Sequence, residues 1–426
     1  MPRLRLHWQI LIALVAAVVL GASVDGASGW GHWLAEGLDF LGRLFLRALR
    51  MLVVPLIAAS IISSLAVKGG TQGLGRLGLK TAAYYLATSL VAILIGLAAV
   101  NLIAPGHSAD GTLSRRLGLE ADRAEIAAKV GGRSLRDVAE VVVRMVPENV
   151  LRDAADDKML GVIFFSLLFG YFLAKIPDHQ HATLAGFWDG VHSVMLYITE
   201  WVMRFAPLGV FALVARVVQE AGLAVFWPLM KFMATVGIGL TVHAGIVLPL
   251  VVLLLGRVSP LSHVRAMAPA LLMAFSTASS SATLPLTLKQ VQHEARVSNR
   301  VSSFTLPLGA TINMDGTALY ECVAAIFISQ AYGVQLGFVG QFTVVFVALL
   351  TSIGVAGVPA ASLVAITLIL TVVGLPLEGV GLILAVDRIL DMYRTAVNVF
   401  SDSCAAVVIA RSEGELGILS PRPKER

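Results

Sequence analysis

Five polar side chains share a spacing in a largely apolar stretch near the C-terminus: Asp387, Asp391, Arg394, Asn398 and Asp402. Counted from the first, they fall at offsets of 4, 7, 11 and 15 residues. At 100° per residue they line one face of a helix for about 22 Å. That face cannot point at hydrocarbon. Two chemistries suit it. In one, Arg394 neutralises Asp391 inside an ion-pair network that only locks a helix bundle. In the other, Arg394 presents its planar fork to a carboxylate, while Asp391, one turn earlier, holds an ammonium group. A solute carrying both is an acidic amino acid, whose second carboxylate would rest on amides and hydroxyls around Ser280 and on Asn398. Net negative charge is costly in a low-dielectric site, so cations bound alongside lower that cost, which is the physical basis for symport.

A second constellation lies upstream. Between residues 301 and 377 the only charged side chains are Asp315 and Glu321. An aspartate at the centre of a membrane helix costs roughly 3 kcal/mol by insertion scales, which marks it as a functional candidate. Asp315 sits in Asn313-Met314-Asp315-Gly316-Thr317, where Gly316 predicts an unwound turn with bared carbonyls. Carboxylate, amide oxygen and carbonyl are the hard ligands a small alkali cation takes. Two apolar segments are too irregular to be plain spans. Residues 271–288 include Ser276, Thr277, Ser279, Ser280, Ser281, Thr283 and the helix breaker Pro285, and residues 342–373 are interrupted by Gly354, Gly357 and Pro359. Non-helical backbone at membrane depth survives only when buried in protein or lining a cavity, so both are read as re-entrant hairpins. Each precedes a full helix bearing Asp and Asn, at 301–330 and 382–410. Such paired discontinuities point to inverted repeats around a midplane site.

The elements that must hold these groups are membrane helices. Of 426 residues, 57% are hydrophobic and 14% charged, against ~25% charged in an ordinary soluble domain; mean hydropathy is +0.83. A soluble enzyme is thereby excluded. The net charge of +5 comes with no dense Lys/Arg run, which argues against nucleic acid. Cys322 and Cys404 lie in apolar stretches and are read as core packing. Apolar windows at 6–24, 45–67, 81–103, 160–176, 191–218, 225–255, 301–330 and 382–410 predict an all-α membrane protein with eight crossings, the first retained rather than cleaved as a signal peptide. Arg3 and Arg5, then Lys68, Arg76 and Lys80, then Arg422, Lys424 and Arg426 place both termini in the cytoplasm. The Arg-rich stretch 105–146 then lies outside, where long loops weigh less in that rule. His243, inside an apolar window, is read as a bonded core residue rather than a ligand. No G-x-S-x-G frames Ser280 or Ser281, and the Gly-rich stretch 69–78 is a turn, since Leu79 stands where a phosphate loop needs glycine before Lys80.

These stretches together resemble the dicarboxylate/amino acid:cation symporter family, which includes the neuronal glutamate transporters and the archaeal aspartate transporters. The resemblance rests on Ser279-Ser280-Ser281-Ala282-Thr283-Leu284-Pro285, on Leu306 through Glu321, on Gly357-Val358-Pro359 and on Asp387 to Asp402. It is strongest over 273–411, with fainter support at 45–55, 84–89 and 206–211. It implies an elevator-type transporter assembled as a homotrimer. Scaffold helices 1–2 (1–80) and 4–5 (147–220) would hold a sliding transport domain. That domain would comprise helix 3 (81–104), helix 6 (221–258), a re-entrant hairpin (259–296), helix 7 (297–332), a gate hairpin (337–377) and helix 8 (379–412). An external loop (105–146) and a cytoplasmic tail (413–426) would complete a multi-pass protein of the plasma membrane, the bacterial inner membrane, in contact with lipid.

By the same resemblance, Asp391 binds the substrate amino group and Arg394 its side-chain carboxylate. Ser279, Ser280, Ser281, Thr317, Ser362, Thr395 and Asn398 would take the remaining polar atoms, with Val358 in the gate. Sodium ions, co-transported, would use Gly309, Asn313, Asn398 and Asp402 at one site. Tyr85, Thr88, Ser89, Asn313 and Asp315 would form a second, and Thr311, Ser352, Ile353 and Val355 a third. No organic cofactor is implied. Glu321 matches a glutamate of potassium-countertransporting animal members, where archaeal sodium-only members have glutamine, and is expected to take up a proton with the substrate. Many relatives carry a further arginine against the Asp391 position; here those places are Ala278 and Met392, leaving Asp391 with fewer positive neighbours. Tyr393 and Ser401 stand where relatives have a small residue and a glycine. A C4-dicarboxylate carrier would lack the acid at 391, and a neutral amino acid carrier the arginine at 394. A proton-coupled carrier of the same family and, from a different class, an anion channel are also compatible with buried charge. An intramembrane aspartyl protease is not, for want of a Gly-x-Gly-Asp stretch.

Overall fold

The computed structural model describes residues 6–24, 29–66, 74–107, 143, 146–156, 159–221, 226–354 and 361–419. All regular structure among them is helical, as an all-α protein requires. The tip of the second hairpin, with Val355 and Val358, lies outside the described residues, as do Arg3, Arg5, Lys68, Arg422, Lys424, Arg426 and most of the 105–146 loop.

One group of helices packs chiefly on itself: α1 (Leu6–Ser23), α2 (Gly29–Leu65), α5 (Met159–Leu173), α6 (Asp178–Met203) and α7 (Ala206–Ala221). Between them in the chain come α3 (Leu74–Ile103) and the short α4 (Val150–Ala155). Close approach of α1 to α7 depends on Gly21, where a Cβ would lie 2.6 Å from the Ala215 carbonyl oxygen. The window at 191–218 takes in parts of two helices, α6 and α7. α6 and α7 meet at a 53° bend, because Pro207 has no amide to give the Met203 carbonyl.

Two helical runs, Arg76–Ile103 and Trp227–Gly256, are each long and apolar enough to cross a bilayer alone. The second contains α8 (Phe226–Val242) and then two π-helical turns, His243–Val247 and Val252–Gly256. Pro249 cannot donate to Gly245 and its ring would strike that carbonyl, so the hydrogen-bond ladder widens around it.

The remaining helices form a second packed group. α9 (Pro260–Thr277) and α10 (Ser280–His293) form a hairpin. It turns at Ala278, which takes a left-handed φ of 51°, and Ser279, whose hydroxyl caps α10 by accepting from the Ala282 amide at 3.2 Å. Pro285, read as the breaker, lies inside α10; its missing amide deprives only the Ser281 carbonyl, and the cap carries the turn instead. Next come α11 (Asn299–Ile312), α12 (Asp315–Ala331), the paired α13 (Phe338–Gly354) and α14 (Ala361–Val373), and α15 (Val380–Ser412). Every residue of α12 is buried, enclosed by α3, α8, α13, α14 and α15. A helix this rich in apolar residues, with its few polar groups turned to neighbouring helices, is stable only in such a position.

The ends of this group are clasped. Lys80 of α3 donates to Glu413 at 2.5 Å and Arg300 of α11 at 3.1 Å, with Arg76 at 3.7 Å. At the other end of α3 the Gly106 amide donates to Gln330 at 3.0 Å and Asn101 to Gln341 at 2.9 Å. The C-terminal end of α15 and the segment following α3 therefore lie at opposite ends of the bundle. The Lys80 hydrogen bond, with Arg300 and Arg76, holds the Glu413 carboxyl below the ordinary glutamate range. A lowered folded-state value stabilises the fold above the unfolded pKa of about 4.3 and ceases to do so as pH falls through the folded value. Glu413→Gln should therefore lower the unfolding temperature of the purified protein at pH 7, with the difference closing below about pH 4. An equal gap at pH 7 and pH 3 would contradict the clasp.

Candidate functional site

The site forms where α11 stops and α12 begins. Asn313 (φ −101°, ψ 84°) and Met314 (φ −112°, ψ 54°) leave the helical region, so the break falls within the predicted motif. Its cause differs from the expectation. Gly316 is already in the first turn of α12, and its role is close approach: a Cβ there would lie 2.7 Å from the Arg394 carbonyl oxygen on α15. That proximity lets Asn398 cap α12. Its Oδ1 accepts from the Gly316 amide at 2.8 Å and the Thr317 amide at 3.4 Å, and its Nδ2 donates to the Thr317 hydroxyl at 3.0 Å. The cap thus satisfies orphan amides from the opposite helix.

Two charged clusters flank this cap. On one side Arg394, almost wholly buried, donates to Asp391 from Nε at 3.2 Å and Nη2 at 3.0 Å, and from Nη1 to Asp387 at 3.2 Å. Its guanidinium lies over the Tyr320 ring, 4.3 Å from the centroid, and the Tyr320 hydroxyl donates to Asp387 at 2.8 Å. On the other side Asp315 accepts four contacts. Thr88 (3.3 Å) and Ser89 (2.6 Å) meet Oδ1, while Ser401 (2.6 Å) and His243 (3.0 Å) meet Oδ2. Asn313 joins the two acids of this cluster, donating to Asp402 at 2.8 Å and to Ser401 at 3.0 Å, and its own Oδ1 is buried without a partner.

Other predicted residues are less closely gathered. The Tyr85 hydroxyl donates to the Thr305 carbonyl at 2.8 Å rather than to an acid. Gly309 faces the Asp402 carboxylate and the Tyr85 hydroxyl. Thr311 and Ser352 return their hydroxyls to carbonyls of their own helices, those of Leu308 and Leu349, while Ile353 lies in the last turn of α13. Ser280 and Thr395 are buried, Ser281 half-buried, and Ser362 buried with an unpartnered hydroxyl. Among the described residues no hydrogen bond joins the hairpin serines to Arg394 or Asn398. Glu321 is wholly buried, with Thr351 donating to one oxygen at 2.7 Å and the other oxygen unpartnered.

With Ala278 and Met392 at the places where many relatives have arginine, Asp391 draws on its own helix instead. Arg388, with a side chain 12% exposed, reaches Oδ2 of Asp391 at 3.4 Å, so two guanidiniums attend that carboxylate. The i, i+3 spacing from 388 to 391 is a legible signal of it. Tyr320, His243 and Ser401 also belong to the site, and their roles needed the third dimension. Taken together, five buried carboxylates, Asp315, Glu321, Asp387, Asp391 and Asp402, face two guanidiniums.

Residues 6–412 match the family described as the Sodium:dicarboxylate symporter family. The chain belongs to that family. Among similar members are the proton/glutamate-aspartate symporter of Escherichia coli, 36% identical over 96% of this chain and 93% of its own, and the proton/sodium-glutamate symport protein of Geobacillus stearothermophilus, 34% identical over 97% and 96%. The mouse excitatory amino acid transporter 3 is 34% identical over 96% of this chain and 86% of its own. In this symporter the α12 cap is the joint between the two clusters. Asn398→Ala should destabilise it by about 1–2 kcal/mol, visible as a lower unfolding temperature in detergent, whereas an unchanged one would mean that the Gly316 and Thr317 amides do not depend on the cap.

Proposed function

We propose that this chain is a secondary active symporter that takes up acidic amino acids, aspartate or glutamate, together with sodium ions. The observation that carries the reading is the buried Arg394, held between Asp391 and Asp387 on a face that also bears Asn398. Seating a zwitterion with an extra carboxylate there exchanges one set of buried ion pairs for another. The ligand ammonium takes Asp391, its distal carboxylate takes the fork of Arg394, and little new unpaired charge is created. Ser279, Ser280, Ser281, Thr317, Ser362, Thr395, Asn398 and Val358 would complete the enclosure.

The cation requirement follows from the surplus of carboxylates over guanidiniums, which an anionic substrate enlarges. One sodium ion would use Gly309, Asn313, Asn398 and Asp402, and a second Tyr85, Thr88, Ser89, Asn313 and Asp315; the unpartnered Asn313 oxygen supports both. A third would use Thr311, Ser352, Ile353 and Val355. Glu321, with one oxygen unpartnered, is the candidate proton carrier. The self-packed group of α1, α2, α5, α6 and α7 supports a scaffold, and the helices around α12 a transport domain that moves as an elevator. Within this reading belong eight crossings, two re-entrant hairpins, cytoplasmic termini and a homotrimer in the bacterial inner membrane. The names of the relatives, which include glutamate, aspartate, sodium and proton, support the substrate and ions.

Proteoliposomes with an imposed sodium gradient should accumulate labelled aspartate or glutamate against its gradient, which a channel cannot do. No accumulation under any sodium or proton gradient would end the reading. Arg394→Cys should cut acidic amino acid uptake by on the order of a hundredfold (~3 kcal/mol for a buried charge pair) while admitting neutral amino acids, and full acidic uptake would remove Arg394 from its assigned role. In the same assay Glu321→Gln should abolish the dependence of uptake on pH; a pH profile matching the parent would clear Glu321 of proton carriage.

A further inference from the structure

The symport reading gives His243 no task, yet its ring is wholly buried and its Nε2 lies 3.0 Å from Oδ2 of the equally buried Asp315. It also begins the first π turn, the widened stretch that Pro249 imposes on this helix. We propose that His243 is a positioning residue for cation binding: its Nε2–H holds Oδ2 of Asp315 and leaves Oδ1 as the oxygen that meets the ion. This rests on the reading of Asp315 as a cation ligand.

The argument lies in what each donor around Asp315 can do when an ion arrives. A hydroxyl donates with its proton and accepts with its lone pairs, so Thr88 and Ser89 can donate to Oδ1 in the empty site and turn their oxygens to a cation in the filled one. An imidazole nitrogen that carries a proton has no lone pair to offer. His243 therefore donates to Oδ2 in both states and cannot yield that oxygen. Ser401 is similarly committed, accepting from Asn313 at 3.0 Å while donating to Oδ2 at 2.6 Å. The atoms left to the cation are Oδ1 of Asp315, the hydroxyls of Thr88 and Ser89, and the unpartnered Oδ1 of Asn313. Donation is all that is asked of the ring. The neutral Nε2–H tautomer supplies it, assigned here by the acceptor it faces, with Nδ1 buried and unpartnered.

The test compares three variants by calorimetric titration of aspartate into the purified protein over a range of sodium concentrations. His243→Leu removes the donor, His243→Asn keeps an amide one carbon too short to reach Asp315, and His243→Gln restores an amide nitrogen near the position of Nε2. His243→Leu and His243→Asn should raise the sodium concentration for half-maximal aspartate affinity about tenfold, the scale of a lost hydrogen bond to a charged group. Affinity at saturating sodium should stay within about twofold of the parent, and His243→Gln should return the sodium requirement to within about threefold. An unchanged requirement in His243→Asn, or equal impairment in Asn and Gln, overturns the proposal; the Asn and Gln pair decides the matter even where the Leu variant does not fold. Aspartate binding by the parent that ignores sodium would instead bring down the underlying reading, and this inference with it.

Discussion

Carboxylates taken out of water must be paired, protonated or joined by a cation, because the cost of leaving them alone is several kcal/mol each. Among the described residues, α12 and α15 carry five such buried groups and two guanidiniums to meet them. Arg394 is shared between Asp387 and Asp391, and Arg388 lends a longer contact to Asp391. Among the described residues, the His243 ring is the basic side chain at Asp315 and none meets Asp402; hydroxyls and an amide hold the two acids. In the proposed function the groups that neutral donors satisfy are the ones that would exchange those donors for an ion, while the guanidinium-bound pair would exchange its partners for a zwitterion. On that proposal one imbalance would serve both halves of a coupled cycle.

The backbone is arranged around that imbalance. A continuous helix through residues 299–331 would bond its own amides and leave nothing for Asn398 to hold. Interrupted at Asn313 and Met314, it turns an N-terminus toward α15, and the absence of a side chain at Gly316 lets α15 come close enough to cap it. Asn398 then stands between the two charged clusters, touching the backbone that carries Asp315 and lying one turn from Arg394. A change in either cluster has a short route to the other through this residue.

Much of the site is legible in the sequence because its chemistry obeys helix periodicity. The stripe from Asp387 to Asp402 is visible in one dimension since the spacing that defines a face is a sequence property, and Asp315 and Glu321 stand out because acids are scarce in apolar windows. What stays hidden depends on pairing between helices. His243 meets Asp315 across 72 residues, and nothing local distinguishes it from a histidine bonded to a carbonyl. Gly316 misleads because unwinding and close approach ask for the same missing side chain. Pro285 misleads in the opposite sense: a proline early in a well-capped helix forfeits a single bond and need not end it. The bend between α6 and α7 is signalled by Pro207 but lost within a window uniformly rich in apolar residues.

The enclosure of α12 on every side has a bearing on how the chain reaches its final state. A segment with no stripe facing the acyl chains gains nothing from solvation by lipid that its neighbours do not supply, and its two acids make isolated partitioning still less favourable. It is therefore stable in a bilayer only in company, with α3, α8, α13, α14 and α15 closed around it. Truncation before α15 would strip the central helix of the Asn398 cap on its first turn and of the Ser401 hydroxyl on Asp315.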